Sequence, residues 1–147
     1  MKYWWQRPAL VVKVDGKDNF TTALEGNSEE RASLVRDRDD VVATAVLANP
    51  GVTIGEVEAF AAMKDVSVEV LREIGSRRRW TKHYGVLANL VRNPHTPIST
   101  TKYLVPGLRT SDLEGLAADR EVPDVLRRFA WTALQRRLLY RARQLLR

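Results

Sequence analysis

The chain has 147 residues, a formal net charge of +6 and no cysteine. This length suits one domain, and the lack of cysteine excludes disulfides, thiolate metal ligands and a cysteine nucleophile. The longest apolar run near the start, Ala9 to Val12, is too short for a signal sequence or a membrane span. We therefore expect a cytoplasmic protein without a transmembrane segment.

Residues 1–19 are expected to form an N-terminal arm, either extended or with a short strand, and residues 20–147 a helical domain. The arm contains Tyr3, Trp4 and Trp5, which are candidate partner-binding residues. Trp, Tyr and Arg dominate the hot spots of protein interfaces, so the arm could anchor a partner. The alternative is that it folds back onto the end of the helical domain, and both interpretations stay open.

Two segments of the helical domain resemble each other at an offset of 44 residues. "VVATAVLANPGVTI", residues 41–54, aligns with "GVLANLVRNPHTPI", residues 85–98. Each segment has apolar residues at helical spacing and then Asn-Pro, and proline ends a helix because it lacks the N–H donor and restricts the residue before it. The prolines at 50 and 94 therefore predict the ends of two helices, with Val42, Val46, Val86 and Leu90 in one shared core.

A second and a third short helix are expected after each Asn-Pro. Thr53 and Glu56 predict a capping box, Thr96-Pro97 predicts a cap followed by proline at the first helical position, and Ser111 with Glu114 predicts another capping box. Residues 28–39 read as a degenerate half-unit at the N-terminal end. A period near 44 with two or three helices per unit is typical of HEAT or armadillo repeats. The predicted fold class is an all-α, HEAT/armadillo-like solenoid with a long basic C-terminal helix.

The segment from about Phe20 to Arg137 resembles a family of uncharacterised bacterial proteins found chiefly in delta-proteobacteria and acidobacteria. The resemblance lies in "ALEGN", "AVLANPGVTIGEVEAFAAMKDVSVEVLREI", "RRRWTKHYGVLANLVRNPHTPIS" and "LRTSDLEGLAADREVP". It implies a helical module similar to HEAT or leucine-rich-repeat-variant proteins, and it implies no activity. The first nineteen and the last ten residues lie outside it.

"SRRRWTKHY", residues 76–84, is a candidate nucleic-acid site. Arg77, Arg78, Arg79 and Lys82 could contact phosphates while Trp80 and Tyr84 stack on bases. The favoured interpretation is structural: the arginines end a helix, where cations complement the helix dipole, and the aromatic rings pack between helices.

The C-terminal helix is expected to begin near Pro123, with Val125, Phe129 and Ala133 continuing the core stripe. Its candidate partner-binding residues are Arg136, Tyr140, Arg143 and Arg147, which fall on one helix face. Residues 122–147 hold seven arginines and one acid, whereas the rest of the chain has 24 − 7 = 17 bases and 18 − 1 = 17 acids. Such a basic amphipathic helix can bind an acidic protein groove, nucleic acid or an anionic membrane, unless it is only a solvated capping helix.

We expect no catalytic, cofactor-binding or metal-binding site, because the sequence contains no recognisable motif for one. The two histidines, His83 and His95, lack neighbours at metal-ligand spacing. The sequence thus favours a non-enzymatic repeat protein that mediates protein–protein interaction, as an adaptor or an accessory subunit of a larger assembly. The alternative is a nucleic-acid- or ribosome-associated protein that uses the basic helix, and an anionic membrane is the least favoured partner.

Overall fold

The computed structural model describes residues 18–147, and this part of the chain is all helical, without a strand. The predicted all-α class is therefore confirmed. Short 3₁₀ turns, Val46–Ala48 and Val105–Gly107, follow α3 and α8. No helix in the described part is both long and apolar enough to cross a membrane. The helices are α1 Asn19–Glu25, α2 Ser28–Leu34, α3 Asp40–Ala45, α4 Ile54–Ala62, α5 Val68–Ser76, α6 Arg78–Thr81, α7 Tyr84–Arg92, α8 Ile98–Leu104, α9 Thr110–Ala118 and α10 Asp124–Leu145.

Side-chain caps fix the starts of several helices. The Thr53 hydroxyl accepts a hydrogen bond from the Glu56 N–H while the Glu56 carboxylate accepts from the Thr53 N–H, which confirms the predicted capping box. Helix α1 was not predicted as a separate element; its first turn is held by the Asp18 carboxylate, which accepts from the Thr21 N–H at 2.7 Å.

Two predicted helix starts are wrong. Helix α8 begins at Ile98 with Pro97 as its cap residue, and Thr96 makes no capping hydrogen bond. Helix α9 begins at Thr110, so Ser111 already lies inside the helix and cannot cap it. Thr96 lies one residue before the cap position of α8, and Ser111 lies two residues after the cap position of α9.

The predicted core residues are buried and belong to one continuous hydrophobic core. Val46, Val86 and Leu90 are fully buried, and Val42 is nearly so. Helix α3 packs against α1 and α5, α4 packs against α7, and α10 packs against α9. The short helices thus bury their apolar residues against neighbouring helices, which they need because a helix of so few residues is marginal alone.

Two buried asparagines, Asn49 and Asn93, hold the chain where α3 and α7 end. Each side-chain nitrogen donates to two backbone carbonyls near the end of an earlier helix, and each side-chain oxygen accepts from the backbone N–H two residues on. The carbonyl acceptors are Ala23 and Gly26 for Asn49 and Ala61 and Met63 for Asn93, at 2.8–3.1 Å. The donors to the oxygens are Gly51 and His95. The amides therefore tie the first Asn-Pro turn to the end of α1 and the second to the end of α4, and they leave no hydrogen-bonding group of either side chain unused.

Candidate interaction surfaces

Arg137 lies 44 residues after Asn93 and bonds to the backbone in a similar way. Its guanidinium donates to the carbonyls of Pro106 and Leu108 and to the Thr110 hydroxyl. No proline follows, however: residue 138 is leucine, and α10 runs on to Leu145. The helix therefore continues beyond the last point at which it is tied to the body.

Every residue from 138 to 147 is exposed, and we call this segment the α10 overhang. At 1.5 Å per residue its helical part, residues 138–145, is roughly 12 Å long. Leu138, Leu139, Leu145 and Leu146 are 60–88% exposed. A surface helix normally buries its apolar side, so these leucines are unusual.

The overhang has an apolar face and a basic face. At 100° per residue, Leu138, Ala142 and Leu145 fall close together, with Leu139 and Leu146 beside them. The predicted residues Arg136, Tyr140, Arg143 and Arg147 share the other side and are all exposed. None of these arginines forms an ion pair within residues 18–147. The apolar and basic surfaces of the overhang are thus both open to a partner.

The core-facing stripe of α10 differs from the prediction by one residue. Leu126 and Ala130 are buried, Phe129 and Ala133 are only partly buried, and Val125 is exposed. The face that meets α9 is therefore set by Leu126 and Ala130 and leads on to Arg137. This register leaves the apolar face of the overhang turned away from the body.

The basic cluster at residues 77–82 is divided between two helices. Arg77 caps the end of α5 and pairs with Glu73, whereas Arg78 and Arg79 begin α6. Arg78, Arg79 and Lys82 are exposed and have no ion pair in the described chain. Arg78 and Arg79 thus lie at the start of a helix rather than at the expected helix end, and Lys82 follows the last residue of α6.

Neither aromatic residue of this cluster offers an open face for stacking on a base. Trp80 is only 3% exposed, and the guanidinium carbon of Arg79 lies 4.4 Å from the centre of its ring. Arg109 lies 4.2 Å over the Tyr84 ring. Both rings therefore serve packing and cation–π contact, as the structural interpretation expected.

Hydrogen bonds of the Tyr84 hydroxyl connect α7 to α9. The hydroxyl donates to Asp112 and accepts from the Arg109 N–H at 3.0 Å. Arg92 pairs with the same carboxylate at 2.7 Å. The hydrogen bond from Tyr84 lowers the pKa of Asp112, and burial raises the pKa of Tyr84, with the hydrogen bond to Asp112 adding to it. Asp112 therefore stays ionised and holds the start of α9 against α7.

Two grooves open beside the Asn-Pro turns. The first groove, about 490 Å³, lies between the turn after α3 and helix α6. The second groove, about 690 Å³, lies between the turn after α7 and helix α9. Cavities of this size can hold a small ligand or several side chains of a peptide. Their polar lining includes Arg79, Lys82 and His83 in the first groove and Thr96, Asp119 and Glu121 in the second.

Tyr3, Trp4 and Trp5 lie outside the described residues. Within residues 18–147, no group of three or more histidine, aspartate or glutamate side chains is placed to hold a metal ion. His95 is exposed in the turn after α7, whereas His83 lines the first groove. No protein-family model, curated protein or solved structure matches this chain.

Proposed function

We propose that this protein is a non-enzymatic, HEAT-like helical-repeat protein of the bacterial cytoplasm that binds another protein as an adaptor or accessory subunit. The α10 overhang is its contact element. The observation that carries this proposal is the exposed apolar face of the overhang beside unpaired arginines. Burying that face in an apolar groove with acidic residues at its rim would satisfy both surfaces at once.

The repeat part of the proposal is supported by the spacing of three backbone-binding side chains. Asn49, Asn93 and Arg137 are separated by 44 residues each time, and each donates to two nearby carbonyls of an earlier segment.

A protein partner accounts for the leucines better than nucleic acid does. Phosphates would neutralise Arg136, Arg143 and Arg147, but the apolar face of the overhang would remain in water. A second copy of this helix is a poor partner as well, because α10 carries six arginines and only Asp124 as an acid. An acidic and partly apolar protein surface fits both features.

The test is a pull-down from native lysate, with and without nuclease, using full-length protein. Leu138→Gln with Leu145→Gln removes the apolar contact, and Arg136, Arg143 and Arg147→Glu reverses the charge. Both variants should lose the captured proteins in nuclease-treated lysate. A triple charge reversal elsewhere on the surface, at Arg38, Lys102 and Arg120, is the matched control and should bind like the natural chain.

Wild-type-like capture by both overhang variants would contradict the proposal. Nuclease-sensitive capture would instead favour a nucleic-acid partner. Co-sedimentation with vesicles containing anionic lipid, lost in the leucine variant, would point to a membrane partner and would equally contradict the proposed protein contact.

The nucleic-acid alternative is supported by a separate observation, the exposed and unpaired Arg78, Arg79 and Lys82. In that case binding to duplex or single-stranded probes should weaken steeply with salt. Each phosphate contact removed by Arg79→Ala or Lys82→Ala should flatten the slope of log affinity against log salt by about 0.7–0.9. A slope unchanged in these variants would exclude this cluster as the contact.

A further inference from the structure

The two grooves are built from corresponding positions of the chain. The turn side of the first groove contains Asn49, Pro50 and Ile54, and the turn side of the second contains Asn93, Pro94 and Ile98, each 44 residues further on. The opposite walls also correspond, since Arg79 and Lys82 match Pro123 and Leu126 at the same offset. The chain therefore presents one type of groove twice, with different chemistry on the far wall.

The first groove is basic. Arg79, Lys82 and His83 line it, and no acidic residue does so in the part of the chain that the structure describes. Trp80 forms part of the wall and holds the Arg79 guanidinium over its ring. A carboxylate entering this groove would meet Arg79 and Lys82, two cations that form no ion pair within residues 18–147.

The second groove combines aliphatic walls with polar and charged residues, among them Lys64, Asp119 and Glu121. Pro94, Ile98, Leu116, Val122 and Leu126 give it apolar walls. It also contains Thr96, which is 6% exposed and whose hydroxyl has no hydrogen-bond partner. The corresponding residue of the first groove is Val52, which needs no partner. The second groove thus suits an aliphatic side chain whose own backbone brings a polar group to the Thr96 hydroxyl.

We infer that the two grooves together bind one linear segment of a partner protein, with an acidic side chain in the first groove and an aliphatic side chain in the second. This rests on the proposed function in taking a protein as the partner, but it uses a surface separate from the α10 overhang. The asparagine amides fix both turns before binding, so little ordering of this chain would oppose the association.

Other ligands fit the pair of grooves less well. A nucleic acid would meet a second groove of mixed charge, because Asp119 and Glu121 line it together with Lys64, and its Arg92 is already paired with Asp112. A small molecule would use one groove and leave the matching positions of the other without a role. A linear peptide uses two separate side-chain sites, because two side chains along one extended segment can each enter a groove.

A phage-displayed library of random peptides, selected on the full-length protein, provides the probe. The enriched peptides should combine Asp or Glu with Leu, Ile or Val. A labelled copy is then titrated by fluorescence anisotropy against groove variants. Arg79→Ala with Lys82→Ala removes the cations of the first groove. Gly115→Leu occupies the second groove, and it should fold because a Cβ at Gly115 has no atom within 4 Å.

Each groove variant should weaken peptide binding about tenfold or more, which corresponds to about 1.4 kcal/mol. The matched controls Arg78→Ala and Gly115→Ala should bind within about twofold of the natural chain, since neither residue 78 nor an added methyl fills a groove. The overhang variant Leu138→Gln with Leu145→Gln should also keep its affinity for the peptide.

Three results would overturn the inference: no enriched peptide, enriched peptides without an acidic residue, or unchanged affinity in both groove variants. Failure of the proposed function has a different signature, because it concerns capture of lysate proteins through the overhang. If the overhang variant lost peptide binding while the groove variants kept it, the peptide would bind the α10 overhang. That result would also reject the grooves as the binding site.

Discussion

The chain turns after Asn93 but continues as a helix after Arg137, although both side chains donate to two backbone carbonyls of an earlier segment. The difference is the next residue, which is Pro94 in one case and Leu138 in the other. Proline at 94 pushes Asn93 out of the helical region, to ψ 117°. The comparison shows that the bridging side chain fixes position, whereas the proline decides whether the helix stops.

The largest effect is expected for Leu90→Ala, which breaks the core beneath the Asn93 turn. Leu90 is fully buried, so the substitution leaves a cavity and should lower the free energy of unfolding by about 2–5 kcal/mol. Urea denaturation followed by circular dichroism gives this value. An unchanged midpoint would show that the packing of α7 is not as described.

Asn93→Ala should destabilise the protein by about 2–4 kcal/mol, because two buried carbonyls and the His95 N–H lose their partner. Asn49→Ala should cost a similar amount for the same reason. Arg137→Ala should cost less, about 1–2 kcal/mol, because water can reach the carbonyl of Pro106. Denaturation of the three variants under one set of conditions checks the order; a larger loss for Arg137→Ala would contradict it.

The sequence predicted the asparagines as helix-end residues but did not reveal their buried bonds. Their periodic position and the prolines after them were visible, whereas the carbonyls they bind belong to segments 23–32 residues earlier. Arg137 was missed entirely, since arginine is usually a surface residue and its neighbours pointed to a solvated helix face. Long-range hydrogen bonds leave no local pattern in the sequence. The turns could therefore be predicted, whereas the hydrogen bonds from these side chains to earlier segments could not.

Two pairs of residues that correspond at the 44-residue offset make different kinds of contact: the first is an ion pair and the second is a tight packing contact. Buried Arg31 forms two hydrogen bonds with Glu56, at 3.1 and 2.7 Å, whereas Gly75 and Thr100, 44 residues further on, are in close contact. The hydrogen bond from Arg31 lowers the pKa of Glu56. Only the first contact should therefore make stability depend on pH.

Glu56→Gln should lower the free energy of unfolding by about 1.5–3 kcal/mol at pH 7, where the natural carboxylate is charged. The folded pKa of Glu56 lies below its unfolded value of about 4.3, so its contribution is complete above that value and is lost as the pH falls through the folded pKa. Denaturation from pH 7 down to pH 3 should show the two proteins converging. If the difference in free energy of unfolding between the two proteins stays constant with pH, the charge of Glu56 is not its cause.

The candidate surfaces were only partly predictable. The basic face of α10 followed directly from the spacing of Arg136, Tyr140 and Arg143, because helical periodicity is a local property. The buried stripe was placed one residue too early, since Val125 and Leu126 are both apolar and only contact with α9 separates them. The grooves could not be predicted at all, because each is formed by segments about 30 residues apart in the chain.

The smallest effect on stability is expected for Leu138→Pro. This substitution places a proline directly after Arg137, as Pro94 stands directly after Asn93. The helix should end near residue 137 and the helical signal should fall, because proline removes a backbone hydrogen bond and clashes with the preceding turn. The unfolding midpoint should move by less than about 1 kcal/mol, since residues 138–147 are exposed. Circular dichroism with denaturation checks both parts; Leu138→Ala is the control, and a large stability loss in the proline variant alone would contradict the comparison.

The lack of tertiary contacts along the α10 overhang has a consequence for its motion. A helix end without packing opens by local fraying, and its amide protons should exchange with solvent without unfolding of the body. Exchange protection along α10 should therefore be high around Ala130 and fall sharply beyond Arg137, the last residue tied to the body. A partner that covers the leucines would have to immobilise this segment, and the cost of that ordering would reduce its affinity.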